Sequence, residues 1–252
     1  MIGRRLSVLT QPLVWAINLV LPPECAWCLQ AVPDGQRLCD DCRSVFTADV
    51  SCCQRCAMPL PAVVDRSSCV RCRDKGWRFD RVVALGPYRG HLREAIILMK
   101  KPTFESLAAA AGELLAEKLR AAQIEPDVVL PVPNHWTRRL SHRTSAAETL
   151  ATAIAVACRR PLILSAVRRI KRTKKQGMLA WSNRAVNVQH AFRVRRPKQV
   201  AGRHVLLVDD VFTSGATAAE LARTLLDAGA SRITIGVAAR GTGVRDHRAE
   251  AV

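Results

Sequence analysis

Residues 205–217, VLLVDDVFTSGAT, constrain the fold more tightly than any other stretch of the chain. The unbroken apolar run Val205–Val208 suits a strand covered on both faces within a parallel sheet. Such a strand delivers Asp209 and Asp210 to its carboxyl end, the edge where open α/β sheets bind ligands. Thr213–Thr217 follows as a hydroxyl- and glycine-bearing turn that opens a helix. Backbone N–H groups at a helix N-terminus, together with side-chain hydroxyls, make a site for a phosphate dianion. Two carboxylates beside that cradle match a sugar phosphate, the acids accepting from vicinal hydroxyls and the turn holding the phosphate. The implied ligand is a ribose 5-phosphate. An Asp pair can also simply end a strand, and Thr213 or Ser214 can cap the next helix. The complete run in this order favours the ligand.

Cysteine placement marks a second unit. Nine of the ten cysteines fall between Cys25 and Cys72, and eight form CxxC pairs: Cys25/Cys28, Cys39/Cys42, Cys53/Cys56 and Cys69/Cys72. Two thiolates three positions apart on a tight turn share one tetrahedral zinc, and a second turn completes the set, so four turns provide for up to two zinc sites. A disulfide framework is the competing reading. It lacks an export signal, because residues 2–21 are only moderately apolar, are interrupted by Gln11, Pro12 and Asn18, and run into Pro22-Pro23. A cytoplasmic zinc module is favoured, each site contributing on the order of 10 kcal/mol of apparent folding free energy. Sequential pairing joins Cys25, Cys28, Cys39 and Cys42 at one zinc and Cys53, Cys56, Cys69 and Cys72 at the other. Interleaved pairing stays open, as does replacement of Cys53 by Cys52. With thiolates at every position the metal is structural. Cys158, isolated in an apolar helical stretch, reads as core packing.

Leu6, Leu9, Leu13, Ile17, Val20 and Leu21 recur at helical spacing and predict an amphipathic helix docked on the protein's own body, too short and interrupted for a transmembrane segment. The polar run 73–76 marks a junction, giving an N-terminal helix and zinc module over 1–76 and an α/β domain over 77–252. In the second unit strand and helix patterns alternate. Strands are expected at 81–85, 128–130, 205–208 and 233–238, and helices at 91–99, 105–122, 146–157 and 218–228. This unit shows no repeat and no low-complexity run.

The strand at 128–130 leads into Pro131–Arg139 at what reads as the same sheet edge. Pro131 and Pro133 stiffen that backbone around Val132, and Arg138, Arg139 and Arg143 can neutralise a phosphate-bearing ligand through forked hydrogen bonds or equally form a solvated helix entrance. Net charge is +18, and the stretch 149–208 supplies fourteen of the basic residues with no acid. A bland solvated surface mixes signs, so this block points to a polyanion. Within it, residues 168–177 read as a mobile basic loop. It can close over a reactive sugar as a lid, or track a single-stranded DNA backbone with Trp181 as a stacking platform.

The run 205–217 resembles the phosphoribosyl pyrophosphate (PRPP) motif of type I phosphoribosyltransferases. That resemblance implies that Asp209 and Asp210 contact the ribose hydroxyls and that Thr213, Ser214, Gly215, Ala216 and Thr217 bind the 5′-phosphate, with Val208 completing the PRPP-binding set. Together with the four cysteine pairs, the entry Leu21-Pro22-Pro23-Glu24-Cys25, the segment Tyr88–Arg93 followed by Lys100, Val132-Pro133 with His135, Arg172-Thr173 with Gln176, Arg184, Asn187-Val188 and Ala191-Phe192, the chain resembles the ComF/GntX family. Thr144-Ser145-Ala146 stand where that family usually has Phe-Asn-Gln.

The resemblance implies an α/β chain of the type I phosphoribosyltransferase fold, with a central, mainly parallel sheet preceded by a small zinc-ribbon module. It implies a cytoplasmic protein linked to uptake or processing of single-stranded DNA. As an enzyme it would displace pyrophosphate from PRPP with magnesium, using electrostatics and positioning rather than a protein nucleophile. Asp209 and Asp210 would act at the ribose, while Pro131, Val132, Pro133, Arg138, Arg139 and Arg172 would act at the leaving group. His135 and His142 read as surface histidines. The alternative is a non-catalytic scaffold that binds nucleic acid through 149–208, docks a protein partner through its zinc module and keeps the PRPP motif as a sensor.

Overall fold

The computed structural model describes residues 22–62, 67, 69–133, 145–171 and 183–243. The expected N-terminal helix, His135, Arg138, Arg139, His142, Arg143 and the stretch from Arg172 to Trp181 lie outside the described residues. A four-stranded parallel sheet forms the centre, in the order β1 (Arg81–Pro87), β6 (Arg232–Arg240), β5 (His204–Phe212), β2 (Val128–Pro131). Leu162 adds a single parallel bridge to Val129 beyond β2. The helices are α1 (Asp40–Thr47), α2 (Gly90–Leu98), α3 (Glu105–Ala121), α4 (Ala146–Cys158), α5 (Asn183–Val188) and α6 (Ala216–Asp227).

Side chains of a strand alternate between sheet faces, and β5 shows what that does here. Leu206 and Val208 enter a core shared with α2, α3 and α4, while Val205 and Leu207 enter a second core shared with α6. All four are fully buried, which is why this strand reads as an unbroken apolar run rather than an alternating one. Helices α3 and α4 approach closely at Gly112, where a Cβ would lie 2.7 Å from the Ala153 Cβ and 2.8 Å from the Leu150 carbonyl oxygen. Ser145 is the N-cap of α4, its side chain accepting from the Glu148 N–H at 3.2 Å. One residue of the triplet that replaces the family's Phe-Asn-Gln thus serves a structural end.

The expected strands and helices of the α/β unit are all present, with β5 and β6 extending further than their apolar cores. Helices α1 and α5 and strands β3 and β4 are additional. Helix α1 is only eight residues long and fully buries only Phe46. The three-residue strands β3 (Val167–Arg169) and β4 (Phe192–Val194) pair antiparallel. They correct the reading of 168–177 as a loop throughout: Arg168 and Arg169 belong to β3, held by burial of Val167 and Phe192 and by the Ile170 N–H to Ala191 O bond at 2.8 Å. Among the described residues no helix is long and apolar enough to cross a membrane.

Candidate functional site

The carboxyl end of the sheet gathers four pieces. Near its carboxyl end β5 carries Asp209 and Asp210, both partly buried. Beside it β2 runs through Pro131, and the Val132 N–H still donates to Val208 O at 2.8 Å, so Pro131–Pro133 start next to the acid pair. On the other side the Tyr88 N–H donates to Arg240 O at 2.8 Å as β1 leads into α2. Just past α2, Lys100 places its Nζ 2.8 Å from Asp210 Oδ2.

These neighbours set the charges. Burial pushes the Asp209 carboxyl well above the usual carboxylate range, and the adjacent Asp210 charge pushes it the same way, against the Asp210 N–H that donates to Asp209 Oδ1 at 2.9 Å. Burial works against the Lys100 ammonium, but attraction to Asp210 outweighs it and raises the Lys100 pKa. Among the described residues, only Asp210 of the two acids is in ion-pair contact with a cation.

The fourth piece is the turn from β5 into α6. Gly215 is the helix N-cap at φ +78, and no side chain caps from that position; Ser214 Oγ accepts the Ala216 N–H at 3.4 Å. Helix α4, by contrast, carries its own serine cap and Glu148 in its first turn, while α6 has no acid there. The start of α6 is thus open to an external anion. Gly215 also lies hard against aromatic rings: a Cβ would sit 2.7 Å from Phe212 Cζ and 2.8 Å from Trp77 Cζ2. Trp77 stacks on Phe79 at 5.1 Å and meets Phe212 edge-on at 5.6 Å, forming a floor under the turn.

Arg240 braces that turn from behind. Only 2% exposed, it donates from Nη1 to Phe212 O at 2.9 Å, Thr213 O at 2.7 Å and Gly241 O, and from Nε to Cys56 O at 2.8 Å. Its guanidinium lies 4.9 Å from the Phe212 ring centroid. Burial lowers its pKa, but an arginine starts so far above neutral pH that it remains charged. Lys100, Trp77 and Arg240 were not singled out as site residues in the sequence. Lys100 carried a signal, its place after the Tyr88–Arg93 segment; nothing local marked the other two.

The cysteines form two tetrads in sequential pairing: Cys25, Cys28, Cys39, Cys42 and Cys53, Cys56, Cys69, Cys72, with all four sulfurs of each set within 4.8 Å of one another. Cys53 rather than Cys52 enters the second set; Cys52 instead bridges to Pro59. Four of the Sγ separations within the sets lie between 3.5 and 3.8 Å. Four thiolates around a zinc ion at 2.3 Å lie about 3.8 Å apart, so both sets fit the metal. The first and third CxxC turns share one design. The Leu29 N–H donates to Cys25 O and the Ala57 N–H to Cys53 O, with Leu29 at φ 65 and Ala57 at φ 53. Burial opposes ionisation of Cys25, but N–H groups of Cys28, Cys39 and Trp27 outweigh it and bring that thiol down to about 6. In the same way N–H groups of Cys56, Arg55 and Cys69 bring Cys53 down to about 7 against its burial. Each tetrad thereby has one thiol prepared for thiolate, while burial and the neighbouring thiols push Cys42 and Cys56 up. Cys158 is half-buried at the end of α4, packed against the core.

Comparison with known proteins matches both halves. Residues 16–73 fit the double zinc ribbon domain family and residues 103–251 the phosphoribosyl transferase domain family. The chain is 30% identical over 228 residues to the DNA utilization protein YhgH of Escherichia coli O6:H1, covering 86% of this chain and 96% of that protein. It is 26% identical over 207 residues to competence protein F of Haemophilus influenzae, covering 79% and 88%. Among solved structures it is similar to the glutamine PRPP amidotransferase from B. subtilis, at 21% identity and TM-score 0.38, over 53% of this chain and 26% of that one.

Proposed function

Because this chain belongs to the ComF family, in which a double zinc ribbon precedes a type I phosphoribosyltransferase domain, we propose that its sheet edge binds PRPP with magnesium and transfers the phosphoribosyl group to an acceptor. The observation that carries this reading is the convergence of the Asp209–Asp210 pair, the open N-terminus of α6 and the Pro131–Pro133 strand end on one edge.

In this reading Thr213, Ser214 and Thr217 hydroxyls and the backbone N–H groups of 213–217 hold the 5′-phosphate. Asp209 and Asp210 accept from the ribose hydroxyls, which favours ionised Asp209 on binding. Lys100, seated on Asp210, keeps the edge from carrying two uncompensated negative charges as a polyphosphate approaches. Magnesium suits the oxygen-rich pyrophosphate and ribose and would supply charge neutralisation there. Departure of pyrophosphate leaves positive charge on the sugar, which the two carboxylates stabilise by position alone. The unit boundary at residues 76 and 77 and structural zinc in both tetrads belong to the same proposal. So does a cytoplasmic setting, the compartment that keeps eight thiols reduced.

Titration calorimetry of the zinc-loaded protein with PRPP, with and without magnesium, tests this. Magnesium-dependent binding lost in Asp209→Ala/Asp210→Ala is the expected result. A folded, zinc-replete protein that gives no heat would remove the sugar-phosphate reading.

A second activity is favoured by the β3–β4 ribbon. Arg168 and Arg193 stand opposite each other in register, both exposed, and Arg195, Arg196 and Lys198 follow on the same chain. Like charges directly opposite cost stability, a cost that a polyanion removes. The names of the similar proteins, DNA utilization and competence, agree with single-stranded DNA as that polyanion. Affinity that falls steeply with salt, and with Arg168→Gln/Arg193→Gln but not with Asp209→Ala, is the expected outcome. Salt-independent binding would exclude it.

A further inference from the structure

The second cysteine tetrad and the phosphate turn are joined by one buried side chain. Nε of Arg240 reaches Cys56 O at 2.8 Å, and Nη1 of the same guanidinium reaches Phe212 O at 2.9 Å and Thr213 O at 2.7 Å. The two ends of this bridge differ in what fixes them. Cys56 is a member of the fully buried tetrad, with its Sγ 3.5 Å from that of Cys69. The surrounding cluster is small, its buried apolar members being the four cysteines and Met58, so its geometry depends on the metal that four thiolates hold. The Phe212 and Thr213 carbonyls belong to the turn itself.

Peptide planarity turns this contact into a directional one. A trans peptide holds its C=O and N–H antiparallel. With the carbonyls of 212 and 213 drawn to Arg240, the N–H groups of Thr213 and Ser214 are turned to the opposite side. A guanidinium can hold several carbonyls at fixed angles because its donors form a rigid fork. Trp77 reinforces the link, packing against the second tetrad's cluster, against Phe212 and under Gly215.

We propose that Arg240 is a positioning residue through which the zinc site of Cys53, Cys56, Cys69 and Cys72 aims the 212–215 turn at the ligand's 5′-phosphate, coupling zinc occupancy to phosphate affinity. This rests on the sugar-phosphate reading above and adds a regulator to it. The first tetrad has no part in the coupling: it packs on α3 and does not contact the turn through Arg240.

Coupling of this kind is reciprocal: if zinc strengthens phosphate binding, phosphate strengthens zinc binding by the same factor. The test uses the full-length, zinc-replete chain. Chelator competition is run with and without ribose 5-phosphate, while calorimetry measures ribose 5-phosphate and pyrophosphate binding to wild type, Arg240→Lys and Arg240→Met. One of the two zinc equivalents in the wild type should resist chelator more strongly when ribose 5-phosphate is present. In both variants, ribose 5-phosphate affinity should fall by at least about ten-fold, within the usual range of such couplings. Pyrophosphate, which the reading places at Pro131–Pro133, should bind as before, and the zinc protection should vanish. A role in general stability would instead weaken both ligands together, and that result overturns the proposal. Unchanged ribose 5-phosphate binding in folded variants also overturns it, as does a wild type that binds ribose 5-phosphate with no change in zinc retention. The last measurement needs no substitution and decides the question should the variants fail to fold. A wild type that binds no ribose 5-phosphate removes the sugar-phosphate reading itself, and the coupling with it.

Discussion

The two cysteine tetrads share one chemistry and occupy different places. In the first, Cys25 is buried but Cys28 is exposed and Cys39 and Cys42 are intermediate, whereas all four sulfurs of the second are buried. The first ribbon lies on the outer helical layer. Val32, Leu38 and Phe46 join the core around α3, and the ion pairs Arg37–Glu113 at 2.8 Å and Arg43–Glu117 at 2.6 Å run along its rim. The second lies on the sheet. Arg55 O accepts the Val82 N–H at 2.9 Å, covering the free edge of β1, and Cys56 O accepts from Arg240. The same CxxC pairing thus serves two ends: the first ribbon braces a helix, and the second closes a sheet edge and supports the 212–213 turn through Arg240.

The largest difference should appear when one thiol is removed from each. Cys56→Ser and Cys28→Ser should each reduce zinc from two equivalents to one. A structural site is worth on the order of 10 kcal/mol of apparent folding free energy, so both variants should lose thermal stability. Only Cys56→Ser should also lose ribose 5-phosphate affinity, read by calorimetry below the melting transition. Equal losses in the two would erase the distinction drawn here.

Gly215→Ala tests the floor of the turn. The new Cβ would meet Phe212 Cζ at 2.7 Å and Trp77 Cζ2 at 2.8 Å in a backbone held at φ +78. Overpacking and left-handed strain together predict about 2–4 kcal/mol of destabilisation in a denaturant melt, with phosphate affinity lost alongside. A variant of wild-type stability would mean that the turn is not pressed onto Trp77.

Asp209→Asn should change stability in the opposite direction. The folded carboxyl is raised above its unfolded value. Its contribution is therefore complete below the unfolded pKa, about 3.9, and is lost as pH rises through the raised folded value. The neutral isostere should raise the Tm of ligand-free protein by about 2–4 °C at neutral pH and by nothing near pH 4, while abolishing PRPP binding. A lowered Tm at neutral pH would contradict that charge balance. For the same reason PRPP should bind more tightly as pH rises through the Asp209 titration, with proton release measurable by calorimetry in buffers of different ionisation enthalpy.

The smallest effect belongs to the first ribbon's rim. Arg37 and Glu113 have side chains 46% and 44% exposed. A double-mutant cycle should give a coupling of about 0.2–1 kcal/mol, reduced further by salt. A larger value would mean that ion pairs rather than Phe46 and Leu38 hold this ribbon to α3.

Much of the molecule was legible from local pattern. Val205–Val208 announced a doubly covered strand because four consecutive apolar residues suit nothing else followed at once by two acids. The spans of α3 and α4 followed from alanine- and leucine-rich runs. The four CxxC pairs disclosed two zinc sites, since a CxxC turn is a four-residue event. Elements without such a pattern were missed. Helix α1 buries one side chain, and β3 and β4 are three residues long, each with one buried residue followed by an exposed arginine, so neither period rises above its neighbours. The site was half legible: its acids and turn lie on one continuous stretch, whereas Lys100 comes from a different element.

Sequence alone determined the chemistry available here: eight thiols in metal-binding turns, two carboxylates at a strand end, and a turn suited to phosphate. Tertiary structure alone decided which turns share a tetrad, which ribbon meets the site, and what a buried arginine is for. Metal turns and apolar strands are specified by residues a few positions apart. Arg240 is satisfied by carbonyls of residues 212 and 213 and, 184 positions away, of Cys56. Backbone carbonyls are present at every residue, so no pattern of side chains can mark which of them a folded chain will bring to one guanidinium.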